Sequence, residues 1–138
     1  MQDQPNPAEI LSAVARFLKE VVAPETKGAT NFNVRVAANA LEMMRRQLDL
    51  APAAEARELT SLKAMLGAEG ELADLNAELA RRLASGEMDI ATPGVADHLW
   101  DVTLTKLAVD QPTYWGYRAA LADRAAAVAP NPQDIQKT

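Results

Sequence analysis

The chain has 138 residues, no cysteine, one histidine and a formal net charge of −5. This length favours a single domain, and the lack of cysteine excludes disulfides and thiolate metal sites. The acidic balance argues against a nucleic-acid partner, because affinity for phosphate backbones comes mainly from lysine and arginine. The N-terminus lacks the basic and apolar order of a signal peptide, and no run has the length of a membrane span. We therefore expect a soluble cytoplasmic protein with no membrane partner.

The first predicted helix covers residues 7–22. Asn6 is a good N-cap, and Pro7 occupies the favoured first position of a helix. Pro24 and Gly28 end the segment. Its apolar residues recur at helical spacing, and these residues are Ile10, Val14, Phe17, Leu18 and Val21.

The segment 32–50 is the longest uninterrupted periodic stretch and predicts a central helix, capped by Thr30 or Asn31. At roughly 100° per residue, its apolar positions cover about half of the helix surface. So wide an apolar face indicates neighbours on more than one side. The predicted buried line is Val34, Ala37, Leu41, Met44 and Leu48, widened by Phe32, Val36, Ala40 and Met43.

The remaining arc of the central helix carries a polar stripe, formed by Arg35, Asn39, Glu42 and Arg46. Their spacing makes them neighbours, so that Arg35 with Glu42 and Glu42 with Arg46 are able to pair. One interpretation is a site for an anion or a carboxylate, because guanidinium groups suit both. The other is a solvated face or an interhelical salt-bridge network, which amphipathic helices usually show. Asn39, at the edge of the stripe, is expected to bond a neighbouring helix.

Three further helices are predicted before the last one. Pro52 is expected to separate residues 53–66 from the central helix, because proline disrupts a helix interior. Residues 71–85 carry leucines in helical register, and a glycine follows each of these two segments. Thr92 and Pro93 are expected to cap and begin a fifth helix.

The fifth predicted helix contains the single histidine. His98 is a candidate general base beside Asp97 and Asp101, but no serine or threonine is visibly paired with it, so a structural role is the expected one. Trp100 is expected to fill core volume. No histidine spacing typical of a metal site is present, and we predict no catalytic residue, no metal and no cofactor.

A sixth helix is predicted for residues 114–128, after a break at Pro112. Three of the six aromatic residues of the chain lie within four positions here. The candidate interaction residues are Asp110, Tyr114, Trp115, Tyr117 and Arg118. Aromatic residues beside an arginine are typical of binding hot spots. The alternative is a lid that closes the end of the bundle, with Asp110 capping the last helix.

The predicted fold is all-α. No segment alternates polar and apolar residues over the length of a strand, and short connections favour an antiparallel bundle of about six helices. We expect one helical domain over residues 1–129. Residues 130–138 are polar and broken by prolines, and are predicted to form a flexible tail.

Three strings carry a resemblance to a known family: PAEILSAVARFLKEVVAP, NFNVRVAANALEMMRRQL and KLAVDQPTYWGYRAAL. Together they resemble a family of short bacterial all-helical proteins classed as a domain of unknown function, over about residues 5–121. Genes of that family often lie beside those of aminoglycoside-phosphotransferase-like kinases and acyl-CoA dehydrogenases. The resemblance implies a partner of one of these two kinds, and it implies no activity.

Two functional hypotheses follow. The leading one is a non-catalytic accessory or interaction protein that acts through its aromatic end, with a homodimer as a further expectation. The alternative is a helical bundle that holds an acyl or CoA-type ligand, with Arg35 and Arg46 near the charged end of the ligand. An enzyme that uses His98 or the carboxylates ranks third.

Overall fold

The structure is a computed structural model, and it describes residues 4–128. All regular structure in this range is helical, as predicted, and none of the described helices is long and apolar enough to cross a membrane. The elements are α1 Pro7–Phe17, a π turn Leu18–Val22, α2 Ala23–Glu25, α3 Gly28–Leu66, α4 Leu72–Ser85, α5 Val95–Asp110 and α6 Trp115–Val128. The predicted tail, residues 130–138, lies outside the described residues.

The predicted start of α1 is confirmed, and it has a complete capping box. The Glu9 backbone N–H donates to the Asn6 side chain at 2.9 Å, and the Asn6 backbone N–H donates to the Glu9 carboxylate at 2.8 Å. Pro7 occupies the first turn, where its missing N–H costs nothing. Two N–H groups that the helix cannot satisfy internally are therefore bonded by side chains.

The connection between α1 and α3 is tighter than predicted. Helical structure continues through the π turn and α2 to Glu25, and α3 already begins at Gly28, whose φ of +57° suits glycine. Asn31 therefore lies inside α3 and does not cap it. Its side chain donates instead to the Ala23 and Thr26 carbonyl oxygens, at 2.5 and 3.3 Å. These bonds tie the end of α2 to the first turn of α3, so that α1 and α3 run in opposite directions.

Helix α3 is continuous through Pro52, which corrects the prediction of two helices. It has 39 residues, and Pro52 lies in its interior. Helix α5 spans the proline on one side of α3. It runs antiparallel to α3, from the His98–Ser61 hydrogen bond to the hydrogen bond between Arg46 and the Val109 carbonyl. These two contacts lie on opposite sides of the proline. Packing along α5 thus holds together two segments that proline alone would separate.

The main core surrounds the C-terminal half of α3. Helices α1, α4 and α5 each pack against α3, whereas the backbone of α6 lies close only to that of α5. Helix α3 is therefore a long central spine. Within residues 4–128, five helices exceed ten residues, one fewer than the six predicted. The buried core cluster is Leu62, Leu66, Leu75, Leu79, Met88 and Val95.

The N-terminal half of α3 packs mainly against α1. Ala38 is fully buried, and so is Ala15 of α1, which is the helix that packs against this half of α3. Of the residues predicted to be buried, Val34 and Leu41 are half-buried, whereas Ala37, Met44 and Leu48 are exposed. Several large apolar residues of α1, the π turn and α3 remain exposed. They are Ile10, Val14, Phe17 and Val21 with Phe32, Val36, Met43, Met44 and Leu48.

Two predictions about the fifth helix were also wrong. Thr92 does not cap α5, because its backbone N–H donates to the Asp89 carboxylate at 2.9 Å within a turn, and α5 begins only at Val95. Trp100 does not fill the core, since 55 % of its surface is exposed. Neither His98 nor Val95, both buried on the inner side of α5, shares a face with that indole.

Candidate functional site

A groove of about 620 Å³ lies where the π turn, α3 and the α5–α6 turn meet. Its lining is Lys19, Asn39, Ala40, Glu42, Met43, Arg46, Asp110, Gln111, Pro112, Thr113 and Tyr114. Residues from both predicted sites therefore line one groove. The polar stripe contributes Asn39, Glu42 and Arg46, and the aromatic segment contributes Asp110 and Tyr114.

Helical spacing explains the stripe side of the groove. Positions 39, 42 and 46 differ by three and four residues, so they lie along one side of α3. The opposite wall is the turn after α5, where the Tyr114 backbone N–H donates to the Gln111 carbonyl at 3.0 Å. The antiparallel packing of α5 on α3 brings this turn to the stripe, which no local pattern specifies.

Arg46 joins the two walls. Its Nε donates to the Val109 carbonyl at 2.6 Å, in the last turn of α5. The final carbonyls of a helix lack intrahelical partners and carry partial negative charge, so a guanidinium there is favourable. Arg46 thus anchors the C-terminus of α5. This contact gives the guanidinium a structural role that requires no ligand.

The ion pairs predicted for the stripe do not form. Glu42 pairs with Arg45 at 3.3 Å, and Arg45 also pairs with Asp49 at 2.7 Å. Arg35 lies outside the groove, where its Nε donates to the Asn31 side chain at 3.0 Å. One turn between Glu42 and Arg45 is a shorter reach than the two turns that separate residues 35 and 42.

Asn39 is exposed in the groove, which contradicts the expectation that it bonds a neighbouring helix. Within residues 4–128, no hydrogen bond involves its side chain. Lys19, Gln111 and Thr113 were not predicted as site residues. They reach the groove only through packing between helices, so the sequence carried no signal for them.

The five predicted interaction residues do not form one site. Asp110 and Tyr114 line the groove, and half-buried Tyr117 faces a cleft between α3, α5 and α6. Arg118 is exposed, and only its backbone makes a described hydrogen bond. Trp115 points to a third location. Its ring centroid lies 5.7 Å from that of Tyr114, and the two planes are tilted by 57°.

Trp115 belongs to a cleft of about 520 Å³ between α5 and α6. Trp100 of α5 lines the same cleft, so both tryptophans of the chain line one site. We call this site the tryptophan cleft. Its other lining residues are Asp97, Gly116, Ala119, Ala120, Asp123 and Arg124.

His98 does have a hydroxyl partner, which the sequence did not reveal. Its Nδ1 lies 2.9 Å from the Ser61 Oγ, and His98 is only 4 % exposed. The neighbouring carboxylates do not complete a catalytic set, because Asp97 is exposed and Asp101 pairs with Arg124 at 2.9 Å. The His98–Ser61 contact is a polar bridge between α5 and α3 beside the core.

A strongly shifted carboxyl lies on α4, away from both sites. Hydrogen bonds from Arg81 and Arg82, at 2.8 and 2.6 Å, lower the pKa of Glu78 to about 2. The same contact raises the pKa of Arg81. In residues 4–128, no group of three or more histidine, aspartate or glutamate side chains is placed to hold a metal ion.

The helical spine with its helix-lined groove defines the class of protein, an all-helical domain. The chain belongs to a family of domains of unknown function, DUF6285, whose model matches residues 24–114. The match begins in α2, includes all of α3, α4 and α5, and ends at Tyr114 in the groove. No curated protein and no solved structure matches the chain.

Proposed function

We propose that this protein is a non-catalytic accessory protein that binds another protein through the tryptophan cleft. The observation that supports the proposal is the exposure of both tryptophans at one site, 55 % for Trp100 and 76 % for Trp115. Tryptophan buries more surface than almost any other side chain and is enriched at the centres of protein interfaces. Two exposed indoles at one cleft favour a binding role over a packing role.

The lining of the cleft indicates the chemistry of the partner. Gly116, Ala119 and Ala120 are small residues, so the cleft between α5 and α6 leaves room for an incoming side chain. Asp97 and Asp123 add two carboxylates at the same cleft. A lysine or arginine on an apolar segment suits this combination, because a cation interacts with both carboxylates and aromatic faces.

The resemblance to the bacterial helical family supplies the proposed partner, a phosphotransferase-like kinase or an acyl-CoA dehydrogenase. An accessory subunit requires no catalytic residues of its own. The His98–Ser61 bridge lacks a carboxylate among the described contacts, which agrees with that role.

Co-purification from the native host tests this proposal. The wild-type chain should recover one of the two proposed partners in near equal amount, and the double variant Trp100→Ala, Trp115→Ala should lose it. The melting temperature of the variant should stay close to that of the wild type, because both side chains are more than half exposed. Ile90→Ala is the matched control, since Ile90 is 74 % exposed and lies outside the cleft.

Two outcomes would contradict the proposal. Undiminished recovery of the partner by the double variant would exclude the cleft as its binding site. A large loss of thermal stability in the double variant would show that the two indoles contribute mainly to the fold. If the wild-type chain is purified without either partner, the second candidate function is favoured.

That second candidate is the binding of an acyl or CoA-type ligand in the groove. The supporting observation is a cavity of about 620 Å³ with two cations, Lys19 and Arg46, and an apolar side formed by Ala40, Met43 and Pro112. This volume is within the range of small-molecule sites. Arg35, which the sequence analysis expected at the charged end of the ligand, is outside the groove, and Lys19 is the second cation of its lining.

Calorimetric titration with coenzyme A tests ligand binding. Lys19→Ala should weaken binding by about tenfold, the effect of losing one charge-assisted contact. Lys106→Ala is the matched control, because Lys106 is an exposed lysine of α5 outside the groove. Arg46 is unsuitable for this test, since its bond to Val109 also supports the fold. An equal loss in both lysine variants would indicate charge attraction without a site.

A further inference from the structure

A cleft of about 240 Å³ lies between α3, α5 and α6, and neither candidate function uses it. We call it the three-helix cleft. The backbone of α6 lies close to that of α5 but not to that of α3, so a gap remains between α3 and α6. The volume is enough for one ring or a short alkyl chain, since an apolar cavity of about 150 Å³ already binds benzene. The apolar lining residues are Leu50, Ala53, Ala54, Leu104, Ala108 and Leu121.

Helical spacing explains why apolar and polar side chains share this cleft. On α3 the lining positions are 49, 50, 53, 54 and 57, and on α5 they are 101, 104, 105 and 108. On α6 they are 117, 121 and 124. Steps of three and four residues keep each set on one side of its helix. The most buried members are Leu104 and Ala54, which are 4 % and 8 % exposed, so the cleft has an apolar interior.

Two hydroxyl groups of the lining have no partner within residues 4–128. They belong to Thr105 and Tyr117, both of which are half-buried. Other threonines of these helices bond their own backbone: the hydroxyls of Thr60 and Thr103 donate to the carbonyl four residues earlier, at 2.8 and 2.7 Å. Half-buried hydroxyls without such a bond are available to a ligand, and a few polar groups in an apolar cleft are typical of small-molecule sites.

Both carboxylates that line the three-helix cleft have a cation of their own. Asp49 pairs with Arg45 at 2.7 Å, and Asp101 pairs with Arg124 at 2.9 Å. Arg124 lines the cleft, whereas Arg45 lies outside it. These two pairs therefore neutralise the negative charge of the lining.

Arg57 is the remaining charge of the lining, and it forms no ion pair with another residue of 4–128. Its Nη1 donates to the Ala53 carbonyl at 3.1 Å, one turn back on α3. Ala53 lines the cleft too, so this bond holds the guanidinium at the edge of the cleft. A guanidinium keeps further N–H donors free after one such bond, and these donors match the geometry of a carboxylate.

We propose that the three-helix cleft binds a small amphipathic carboxylate, such as a short fatty acid. The carboxylate accepts hydrogen bonds from Arg57, and the apolar part lies against Leu104 and Ala54. An uncompensated cation at the edge of an apolar cleft selects an anion with an apolar body over either an apolar molecule or a free inorganic anion. The proposal depends neither on a protein partner at the tryptophan cleft nor on a ligand in the groove.

Titration of the purified full chain with octanoate, followed by amide chemical shifts in NMR, tests the proposal. Octanoate should bind saturably with a Kd of about 1 mM or below. Octan-1-ol, which has the same chain without the charge, should bind about tenfold more weakly. Arg57→Gln should weaken octanoate binding by about tenfold and leave octan-1-ol binding unchanged. Arg118→Gln is the matched control and should bind as the wild type does, because Arg118 is an exposed arginine of α6 outside the cleft.

A second variant tests the apolar part of the cleft. Ala53→Leu should weaken the binding of both octanoate and octan-1-ol, because the larger side chain occupies the cleft. Ala53 is exposed, so the variant should keep its fold, as judged by circular dichroism.

Three results would overturn the proposal. The first is a wild-type chain without saturable octanoate binding, and the second is a folded Arg57→Gln variant that binds octanoate as tightly as the wild type. The third is a loss of octanoate binding in Lys19→Ala but not in Arg57→Gln, which would place the ligand in the groove. The measurement uses the purified chain alone, so its outcome is separate from that of the co-purification with a protein partner.

Discussion

Replacing Pro52 by alanine should stabilise the protein. Pro52 lies inside α3, and its ring removes the N–H that would otherwise bond the carbonyl of Leu48, four residues earlier. Proline costs about 3 kcal/mol relative to alanine in a helix interior. The substitution also raises the conformational entropy of the unfolded chain, which offsets about 0.4–1 kcal/mol of the gain. Some strain is already relieved by the packing of α5, so a net gain of about 1–2 kcal/mol is expected.

Thermal unfolding followed by circular dichroism measures this effect. For a domain of this size, a gain of 1–2 kcal/mol raises the melting temperature by about 3–8 °C. Pro52 is exposed, so its replacement leaves no cavity to confuse the result. Pro93→Ala is the matched control, because Pro93 lies in the turn before α5, where no helical hydrogen bond is regained. A melting temperature that falls, or that changes equally in both variants, would refute a continuous α3.

Two other predictions concern polar contacts between or along helices. Ser61→Ala should lower the free energy of unfolding by about 1–2 kcal/mol, because His98 would lose its hydrogen-bond partner beside the core; an unchanged unfolding curve in urea would show that the bridge contributes nothing. Glu78→Gln should lower the melting temperature near neutral pH and have less effect as the pH falls towards 2. The carboxyl has a pKa of about 2 in the folded chain and an ordinary value of 4.5, so its contribution is complete above pH 4.5 and is lost as the pH falls towards 2. The difference in melting temperature between wild type and variant should therefore shrink over that range, and a difference independent of pH would contradict the assignment.

Much of the helical architecture was predictable because its signals are local. The cap at Asn6 and the glycine after α4 act within one turn of the residues that they stop or start. The stripe of Asn39, Glu42 and Arg46 was recognised for the same reason, since three- and four-residue spacing alone places side chains together on a helix. Local signals failed at Pro52, where the packing of α5 overrides a strong helix breaker.

Only part of each candidate site could be predicted from the sequence. Each wall of the groove was recognised separately, one from the stripe and one from the segment around Tyr114. Their contact depends on α5 lying antiparallel to α3, and Lys19 arrives from a third element. The cleft that Trp100 shares with Trp115 was missed for a similar reason, because the two residues lie on different helices and periodicity does not say which helices are neighbours.

By itself, the sequence determined that the chain is all-helical, where most helices begin and end, and which residues share a helix face. These properties depend on backbone hydrogen bonds and side-chain spacing within a few residues. Only the tertiary structure decided that α3 continues through Pro52, that Ser61 meets His98, and which apolar residues of α1 and α3 are left exposed. Apolar periodicity shows that a face avoids water, but the neighbour that covers it is set by packing between distant segments of the chain.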